Sequence, residues 1–384
     1  MWKHVAANAL TLGVVAVALL AAGVQLGRTI WAGEGPLAEA RFFEVERGAS
    51  LAAVSRDLEE AGIIRSGAVF RLGASYTDRG DDLKFGTYEL PPGATMPDVL
   101  DILTEGGPSV FPYSVTYVLR SVGPEYRVRE RVPGQAEPLE IATFAPGDPV
   151  PAEYSALIES GEPITWRVSV APGLTSWEVI EGLEGADFLE GEVAEVPAEG
   201  LLAPDTYEVA RGSSVADLVG RMAQAQERIL AEAWAERMPG LPVNTIEEAL
   251  ILASIVEKET GVPEERGTVA GVFVNRLREG MRLQTDPTVI YGITGGRGPL
   301  GRGIRASELR EPTPWNTYVI DGLPPTPIAN PGEASIRAAL NPEATDYVYF
   351  VADGTGGHAF AETLAEHNAN VARWRAVEAE RANN

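Results

Sequence analysis

The chain has 384 residues, 45% hydrophobic and 22% charged, which is the composition of a folded protein long enough for two or three domains. Its 31 basic and 55 acidic residues give a net charge of -24, which argues against nucleic acid as a partner because phosphate binding relies on Lys and Arg clusters. It has three histidines, no cysteine, no P-loop and no dinucleotide-binding glycine motif, so we expect neither a metal site nor a cofactor.

The N-terminal segment is apolar enough to cross a membrane. Residues 5–27 carry no charge and lie between Lys3 and Arg28. As a helix they would extend about 35 Å, and a hydrocarbon core is about 30 Å thick. Residues 1–31 are therefore predicted to form a short N-terminal tail and a transmembrane signal anchor. The alternative is a cleaved signal peptide, because small residues occupy much of 16–22. The charges at Lys3 and Arg28 do not settle the orientation of the anchor by themselves.

A weak internal repeat follows, in which a strand, a turn glycine, a Ser or Thr cap and a helix succeed one another twice per copy. The repeated stretches are 45–50 and 86–93 in the first copy and 170–175 and 205–212 in the second. Two strands flanking short helices form the layout of a LysM-like module. We predict such a module over 40–107 and a second LysM-like repeat or linking module over 166–243. The alternative is that this order of strand, turn, cap and helix is a common local pattern of α+β domains and not a duplication.

The segment between the two copies, residues 108–165, is rich in Pro, Gly and β-forming residues. It is predicted to be a β-rich insertion. A spacer and a partner surface are both open as its role.

The remaining residues, 244–384, are predicted to be a mixed catalytic domain, which gives an α+β protein overall. Residues 249–256 carry no charge and are followed at once by Glu257, Lys258 and Glu259. A helix that is apolar on all sides is buried, and an acid at its C-terminal turn meets the negative end of the helix dipole. Burial and the dipole both tend to raise a carboxyl pKa, as a general acid in glycoside cleavage requires.

Further elements of this domain can be predicted in chain order. A second helix is expected from about Pro263 to Gly280, followed by an extended segment over 284–291. A β-hairpin with a glycine turn is expected over 346–360. A final amphipathic helix contains Trp374.

The stretch 250–292 reads LILASIVEKETGVPEERGTVAGVFVNRLREGMRLQTDPTVIYG, and it resembles the signature of the endolytic murein transglycosylases, the MltG or YceG-like family. The resemblance extends to the anchor, the first module and everything from about residue 166 onward. It implies that Glu257 is the single catalytic acid, which protonates the oxygen between N-acetylmuramic acid and N-acetylglucosamine. The muramic C6 hydroxyl then closes onto C1 as a 1,6-anhydro ring.

Six polar or aromatic residues match stretches of the family motif and suit sugar hydroxyls and N-acetyl groups, with a purely structural role as the alternative for each: Gln284, Thr285, Tyr291, Asn316, Thr317 and Tyr318. Asn330 is most simply part of a turn, or else lines the cleft. Asp286 and His358 complete the candidate substrate-binding set. Asp286 is the natural second carboxylate if one is used, or else caps a turn at Pro287. His358, in an intact Gly-Gly-His-x-Phe pattern, either faces the cleft or bonds a turn. Glu259 is about 200° around the helix from Glu257, so we interpret it as a supporting or solvent-facing residue.

The family resemblance implies an inner-membrane, single-pass protein with its short N-terminal tail in the cytoplasm and its bulk outside the cytoplasm. Peptidoglycan glycan strands would be the substrate and peptidoglycan synthases its neighbours. Two alternatives stay open at this point, a non-catalytic glycan-binding scaffold of the cell-wall synthesis machinery and a hydrolytic muramidase.

Overall fold

The computed structural model describes residues 2–106 and 110–382. The end of the predicted first module and the start of the predicted insertion lie at 107–109, outside the described residues. The chain forms two compact units. The first comprises Met1–Ser114, Arg129–Ile141 and Ser160–Ile164, and the second comprises Val115–Val128, Ala142–Glu159 and Thr165–Asn384.

The first unit contains four helices and two strands among its described residues. They are α1 (Trp2–Ala32), β1 (Arg41–Val45), α2 (Leu51–Glu60), α3 (Gly67–Tyr76), β2 (Gly86–Leu90) and α4 (Met96–Glu105). The two strands pair antiparallel, with Arg41 opposite Leu90. The short helices begin at side-chain caps, since Ser50 accepts from the N–H of Ala53 and Thr95 forms a capping box with Asp98.

Helix α1 contains the apolar stretch that the sequence predicted to cross a membrane. Its residues Leu10–Ala32 have a mean hydropathy of 2.1 and none of them is fully buried, although Ile30 and Trp31 pack against the core of the first unit. Twenty-three helical residues span a bilayer's hydrocarbon core, so α1 is compatible with membrane anchoring.

The elements that lie mainly in the second unit are numbered on from the first. They are β3 (Tyr113–Leu119), β4 (Glu125–Glu130), β5 (Leu139–Phe144), α5 (Ala152–Ser160), β6 (Ile164–Val170), α6 (Ser176–Glu184), β7 (Leu189–Glu190), β8 (Thr206–Val209), β9 (Ser213–Ser214), α7 (Val215–Ala235), α8 (Ile246–Glu259), α9 (Arg266–Arg278), α10 (Asp286–Thr294), α11 (Glu333–Leu340), β10 (Tyr349–Ala352), β11 (His358–Ala361) and α12 (Leu364–Ala382).

Five of these strands form one sheet, in the order β5-β4-β3-β6-β8. Strand β3 is the neighbour of β6, so the segment predicted to be an insertion supplies three strands of the sheet that also holds the strands of the second repeat. The strands β6 and β8 pair antiparallel, with Trp166 opposite Val209.

The strand, glycine, cap and helix order of the predicted repeat is present in both copies. The four turn glycines all have positive φ, at 80° for Gly48, 69° for Gly93, 83° for Gly173 and 81° for Gly212. The copies differ between their halves, because helix α3 precedes β2 whereas the two-residue strand β7 precedes β8. The LysM-like assignment of either copy stays a prediction.

The helical core of the second unit is built around α8. All residues from Ala249 to Val256 are buried, as their lack of charge predicted. They pack with apolar side chains of α9 and α11, Phe273 and Ile336 among them. The hairpin of β10 and β11 and the final helix α12 also agree with the prediction.

One predicted element is wrong. The segment 284–291 was expected to be extended, but α10 begins at Asp286. Pro287 suits the first turn of a helix, where its missing N–H costs nothing. The β-branched side chains of Thr288 and Val289 are buried, and this tertiary packing outweighs their preference for strands.

Candidate active site

Glu257 lies in the last turn of α8 and is partly exposed. Its Oε2 accepts a hydrogen bond from the backbone N–H of Gly332 at 3.0 Å. Gly332 is the N-cap of α11. The carboxylate therefore lies at the negative end of its own helix and faces the positive end of another. No ion pair joins Glu257 to a basic side chain among residues 2–106 and 110–382.

Two loops, 172–174 and 330–332, come together beside this carboxylate. The N–H of Gly173 donates to the carbonyl of Asn330 at 2.9 Å, and the N–H of Asn330 donates to the carbonyl of Leu174 at 2.8 Å. Lys258 Nζ then donates to the carbonyl of Gly173 at 3.1 Å, which ties the pair of loops to the end of α8.

The two loops carry glycine at positions 173 and 332 for different reasons. Gly173 has a positive φ of 83°, which disfavours other residues, although a Cβ there would make only an ordinary contact at 3.7 Å from Glu257 Cγ. A Cβ on Gly332 would lie 3.6 Å from Glu257 Oε2, also an ordinary contact, but 3.3 Å from Pro172 Cγ in the other loop, so Gly332 allows the two loops to pack closely.

Asn330 lies inside the protein, which corrects the expectation that it contacts sugar. It is fully buried, its Nδ2 donates to the carbonyl of Leu174 at 3.0 Å, and its Oδ1 accepts from the N–H of Leu202 at 3.0 Å. Buried amides need both partners, so Asn330 holds the loop that carries Gly332.

Glu259 is the centre of a second polar cluster, and its contacts favour the supporting one of its two interpretations over the solvent-facing one. It is half-buried, and its carboxylate accepts a hydrogen bond from the hydroxyl of Thr285. Burial raises the pKa of the Glu259 carboxyl above its ordinary value, and the bond from Thr285 opposes this shift. The raised carboxyl pKa that the sequence predicted for this helix end therefore falls on Glu259.

Thr285, Asn316 and Thr317 are buried, so they shape the second cluster from inside rather than face a sugar. The N–H of Thr285 donates to Thr317 Oγ1 at 3.0 Å. Asn316 donates from Nδ2 to the carbonyls of Glu308 at 3.0 Å and Glu311 at 2.7 Å. Because all three side chains are buried, the prediction that they contact substrate is corrected to a structural role.

Asp286 and Tyr318 lie at the surface of the same cluster. Asp286 is exposed in the first turn of α10 and accepts from the Tyr318 hydroxyl at 2.6 Å. Burial, and then the bond to Asp286, raise the pKa of Tyr318. Gln284 is exposed and has a positive φ of 50°, a backbone conformation that few non-glycine residues adopt.

Tyr291, predicted to bind sugar, belongs to a third polar group that is centred on Glu199. Its hydroxyl donates to Glu199 Oε2 at 3.2 Å, and burial raises the pKa of Tyr291 to about 12. Glu199 Oε1 also accepts from the N–H of Ser176, the first residue of α6, at 2.8 Å. Burial raises the pKa of Glu199, and the Ser176 and Tyr291 bonds oppose the shift.

His358 is held by Glu265. The Glu265 carboxylate accepts from the backbone N–H of His358 at 2.9 Å and lies 2.7 Å from its Nδ1. When Nδ1 carries the proton in this pair, Nε2 is left as an acceptor. The side chain of His358 is 16% exposed. The edge of its ring contacts Phe350.

Arg276 and Arg282, which follow the acid in sequence, bond other groups in the structure. Arg276 is buried and donates to the backbone carbonyls of Val348 and Leu283, each at 2.6 Å. Arg282 bonds Asp321 at 2.9 Å and the carbonyl of Tyr318 at 3.1 Å. Both arginines stabilise the loops around α10.

Sequence reasoning missed Gly332, Lys258 and Gln226. Gln226 is fully buried, and its Nε2 donates to the carbonyls of Gly200 at 2.9 Å and Pro331 at 3.2 Å, so it supports the loop that carries Gly332. A single amide on the apolar stripe of α7 is the signal that could have identified it.

A family model described as the YceG-like family matches residues 43–130 and 144–373, which include Glu257 and Glu259. The chain belongs to the YceG-like family. An endolytic murein transglycosylase from Bacillus subtilis (strain 168) is 39% identical over 173 residues, which cover 45% of this chain and 46% of that protein. One from Streptococcus pneumoniae (serotype 2, strain D39) is 30% identical over 336 residues, 85% of this chain and 57% of that protein.

The chain thus spans about half the length of the curated relatives it matches. A solved structure from Listeria monocytogenes, described as a YceG-like protein, is 25% identical with a TM-score of 0.46. That likeness covers 86% of this chain and 99% of the Listeria chain.

Proposed function

We propose that this chain is a murein lytic transglycosylase that cuts the bond between N-acetylmuramic acid and N-acetylglucosamine within glycan strands. Glu257 is its acid. The observation that carries the proposal is the setting of Glu257, a partly exposed carboxyl at the end of a buried helix. Within the part of the chain that the structure describes, this carboxyl accepts its hydrogen bond from the Gly332 N–H. The names of the relatives from Bacillus and Streptococcus support the same activity.

In the first step the protonated Glu257 gives its proton to the glycosidic oxygen. The bond from this oxygen to muramic C1 breaks as an oxocarbenium-like state develops, and N-acetylglucosamine leaves with its new hydroxyl. The Gly332 N–H at the N-terminus of α11 then stabilises the Glu257 carboxylate that remains.

In the second step the Glu257 carboxylate removes the proton of the muramic C6 hydroxyl, and the C6 oxygen bonds to C1. The acid regains its proton and the product is a 1,6-anhydro ring, so no water is consumed. A second carboxylate across the bond, which a water-using glycosidase needs, has no step to perform here.

Glu259 is proposed to be a positioning residue rather than the acid. Its raised pKa suits an acid, but its carboxyl is enclosed and bonded to Thr285 at the N-cap of α10. Five of the predicted sugar-binding residues retain some exposure and are proposed to contact the strand: Gln284, Asp286, Tyr291, Tyr318 and His358.

We also propose that α1 crosses the cytoplasmic membrane once, with the rest of the chain outside the cytoplasm near peptidoglycan synthases. The chain has no cysteine, so a Val122→Cys variant carries one thiol, at a position 89% exposed. A membrane-impermeant thiol reagent added to intact cells should label it. Labelling only after lysis would place the body in the cytoplasm.

The activity is tested by mass spectrometry of products after the full chain acts on uncrosslinked glycan strands, with Glu257→Gln beside it. Anhydromuramic ends that only the wild type makes would support the proposal. Reducing ends would assign a hydrolytic muramidase. Strands that are bound but never cut would assign a glycan-binding scaffold.

A further inference from the structure

Helix α3 exposes two large side chains one turn apart. Leu72 is 73% exposed and Tyr76 is 90% exposed. Residues at i and i+4 lie on one face of a helix, so they form a short apolar stripe, the α3 stripe. The rest of α3 is ordinary for a packed helix, with Phe70 and Ala74 buried in the core of the first unit.

The helix that bears this stripe packs directly on the end of α1. The Trp31 ring lies 6.1 Å from the Phe70 ring between centroids. A Cβ on Gly73 would lie 2.2 Å from the Trp31 ring, so only glycine lets that ring rest on α3. The position of α3 along α1 is thereby fixed at Trp31.

Trp31, where α3 packs on α1, lies at the edge of the bilayer that α1 is proposed to cross. The apolar stretch of α1 ends at Ala32, and Arg28 is the first charged residue after residues 5–27. Leu26, 62% exposed, precedes Trp31 by five residues, which is about 7.5 Å along a helix. The headgroup layer on each side of the hydrocarbon core is about 5–8 Å thick, so Trp31 and α3 fall within it.

The stripe lies beside the α1 contact rather than opposite to it. Around a helix at about 100° per residue, Tyr76 is about 60° and Leu72 about 100° from Gly73, whereas Arg71 is about 160° away. Tyr76 is therefore the nearer of the two to the Trp31 side of α3, Leu72 lies at about a right angle to it, and the charged Arg71 is turned away.

We propose that Leu72 and Tyr76 insert into the headgroup layer of the bilayer that α1 crosses, which makes α3 a second, interfacial contact with lipid. Leu contributes apolar area, and Tyr is suited to this layer because its ring is apolar and its hydroxyl polar. The inference rests on the proposed membrane anchoring by α1. Because the chain has a net charge of -24 and the stripe is uncharged, zwitterionic lipid suffices for the contact.

The test uses the absence of cysteine from the chain. Full-length Leu72→Cys, Tyr76→Cys, Arg71→Cys and Val17→Cys variants are each labelled with an environment-sensitive fluorophore and placed in phosphatidylcholine vesicles. Quenching is measured with iodide on both sides of the membrane and with lipids that carry a nitroxide near the headgroup or deep in the acyl chain. Arg71→Cys is the matched control on the same helix, and Val17→Cys reports on the anchor itself.

The inference expects iodide quenching at positions 72 and 76 that is about threefold weaker than at 71, together with strong quenching by the headgroup nitroxide. Position 17 is expected to be quenched by the deep nitroxide. If position 17 is quenched by the deep nitroxide while positions 72 and 76 are quenched by iodide as strongly as position 71, the α3 stripe does not touch lipid. That result would overturn the inference and leave membrane anchoring by α1 supported. If 17 is open to iodide, both anchoring and stripe fail. Shielding from iodide without nitroxide quenching at 72 and 76 would assign a protein contact and overturn the inference.

Discussion

Two carboxyl groups at the end of α8, two residues apart in sequence, differ in their hydrogen-bond donors and in the effect of burial on their chemistry. Glu257 is partly exposed and takes a hydrogen bond from one backbone N–H of a glycine loop. Glu259 is half-buried and its carboxyl accepts a hydrogen bond from the side chain of Thr285, and burial raises its pKa. A raised pKa alone does not identify a general acid, because such a group must also be within reach of the substrate, and for this reason Glu257 is the proposed acid.

The largest difference between the Glu257 region and the Glu259 region is expected in the cleavage rate of Glu257→Gln. A general acid contributes about 10²–10⁴-fold to the rate, so initial cleavage rates should fall by about that factor with the melting temperature preserved. Glu247→Gln is the matched control, since it makes the same change at an exposed position in the first turn of α8. A Glu257→Gln enzyme as active as this control would contradict the proposed role.

The next effect is on stability and belongs to the Glu259 region. Thr285→Val removes the hydroxyl that donates to Glu259 and leaves a buried carboxyl without that partner. We expect a loss of about 1–3 kcal/mol in the free energy of unfolding, measured by chemical denaturation. Thr285→Ser retains the hydroxyl and should lose much less. Equal losses in the two variants would mean that packing, not the hydrogen bond, matters here.

A smaller effect on rate is expected from Gly332→Ala. The added Cβ would lie 3.3 Å from Pro172 Cγ, so the loop that donates to Glu257 must shift by a few tenths of an ångström. Misplaced catalytic groups lose rate steeply, and we expect about a fivefold fall in kcat with little change in melting temperature. Gly303→Ala, where the Cβ meets open space, is the control. Equal rates for both variants would show that the loop does not position the acid.

The smallest effect concerns the pH dependence of stability. Burial raises the folded-state pKa of Glu259, so the folded protein holds this proton more tightly than the unfolded chain. The wild type therefore loses stability as pH rises from the ordinary carboxyl pKa, about 4.3, through the raised value, and the loss is constant above it. Glu259→Gln lacks this titration and still accepts from Thr285.

The melting temperature of Glu259→Gln minus that of the wild type should thus become more positive between pH 4 and pH 7, as measured by thermal unfolding across that range. A difference that stays constant or moves in the negative direction would show that Glu259 is not destabilised by its burial.

Much of the fold could be predicted because its signals are local. The uncharged residues before Glu257 predict a buried helix, and Gly48 with Ser50 or Gly173 with Thr175 predict a turn and a helix start. The neighbourhood of β3 and β6 could not be predicted, since the two strands are about 50 residues apart and no local pattern specifies which strands pair. Helix α10 was missed because its β-branched residues favour strands in isolation, and only their burial decides otherwise.

The candidate site could be predicted from the sequence to about the same extent as the fold. Helix geometry correctly placed Glu257 and Glu259 on different faces, but which face is enclosed depends on α10, more than 25 residues away. Resemblance pointed to Asn316, Thr317 and Asn330 as sugar contacts, yet all three are buried and bonded within the protein. Sequence shows that polar residues occur together near a site, whereas burial distinguishes those that shape it from those that face the substrate.

The most direct measurement compares anhydromuramic end formation by the wild type, Glu257→Gln and Glu259→Gln on the same uncrosslinked strands at equal protein concentration. We expect Glu257→Gln to form ends only at background and Glu259→Gln to remain within about tenfold of the wild type, as for a residue that positions others. An active Glu257→Gln beside an inactive, folded Glu259→Gln would contradict the account and assign the acid to Glu259.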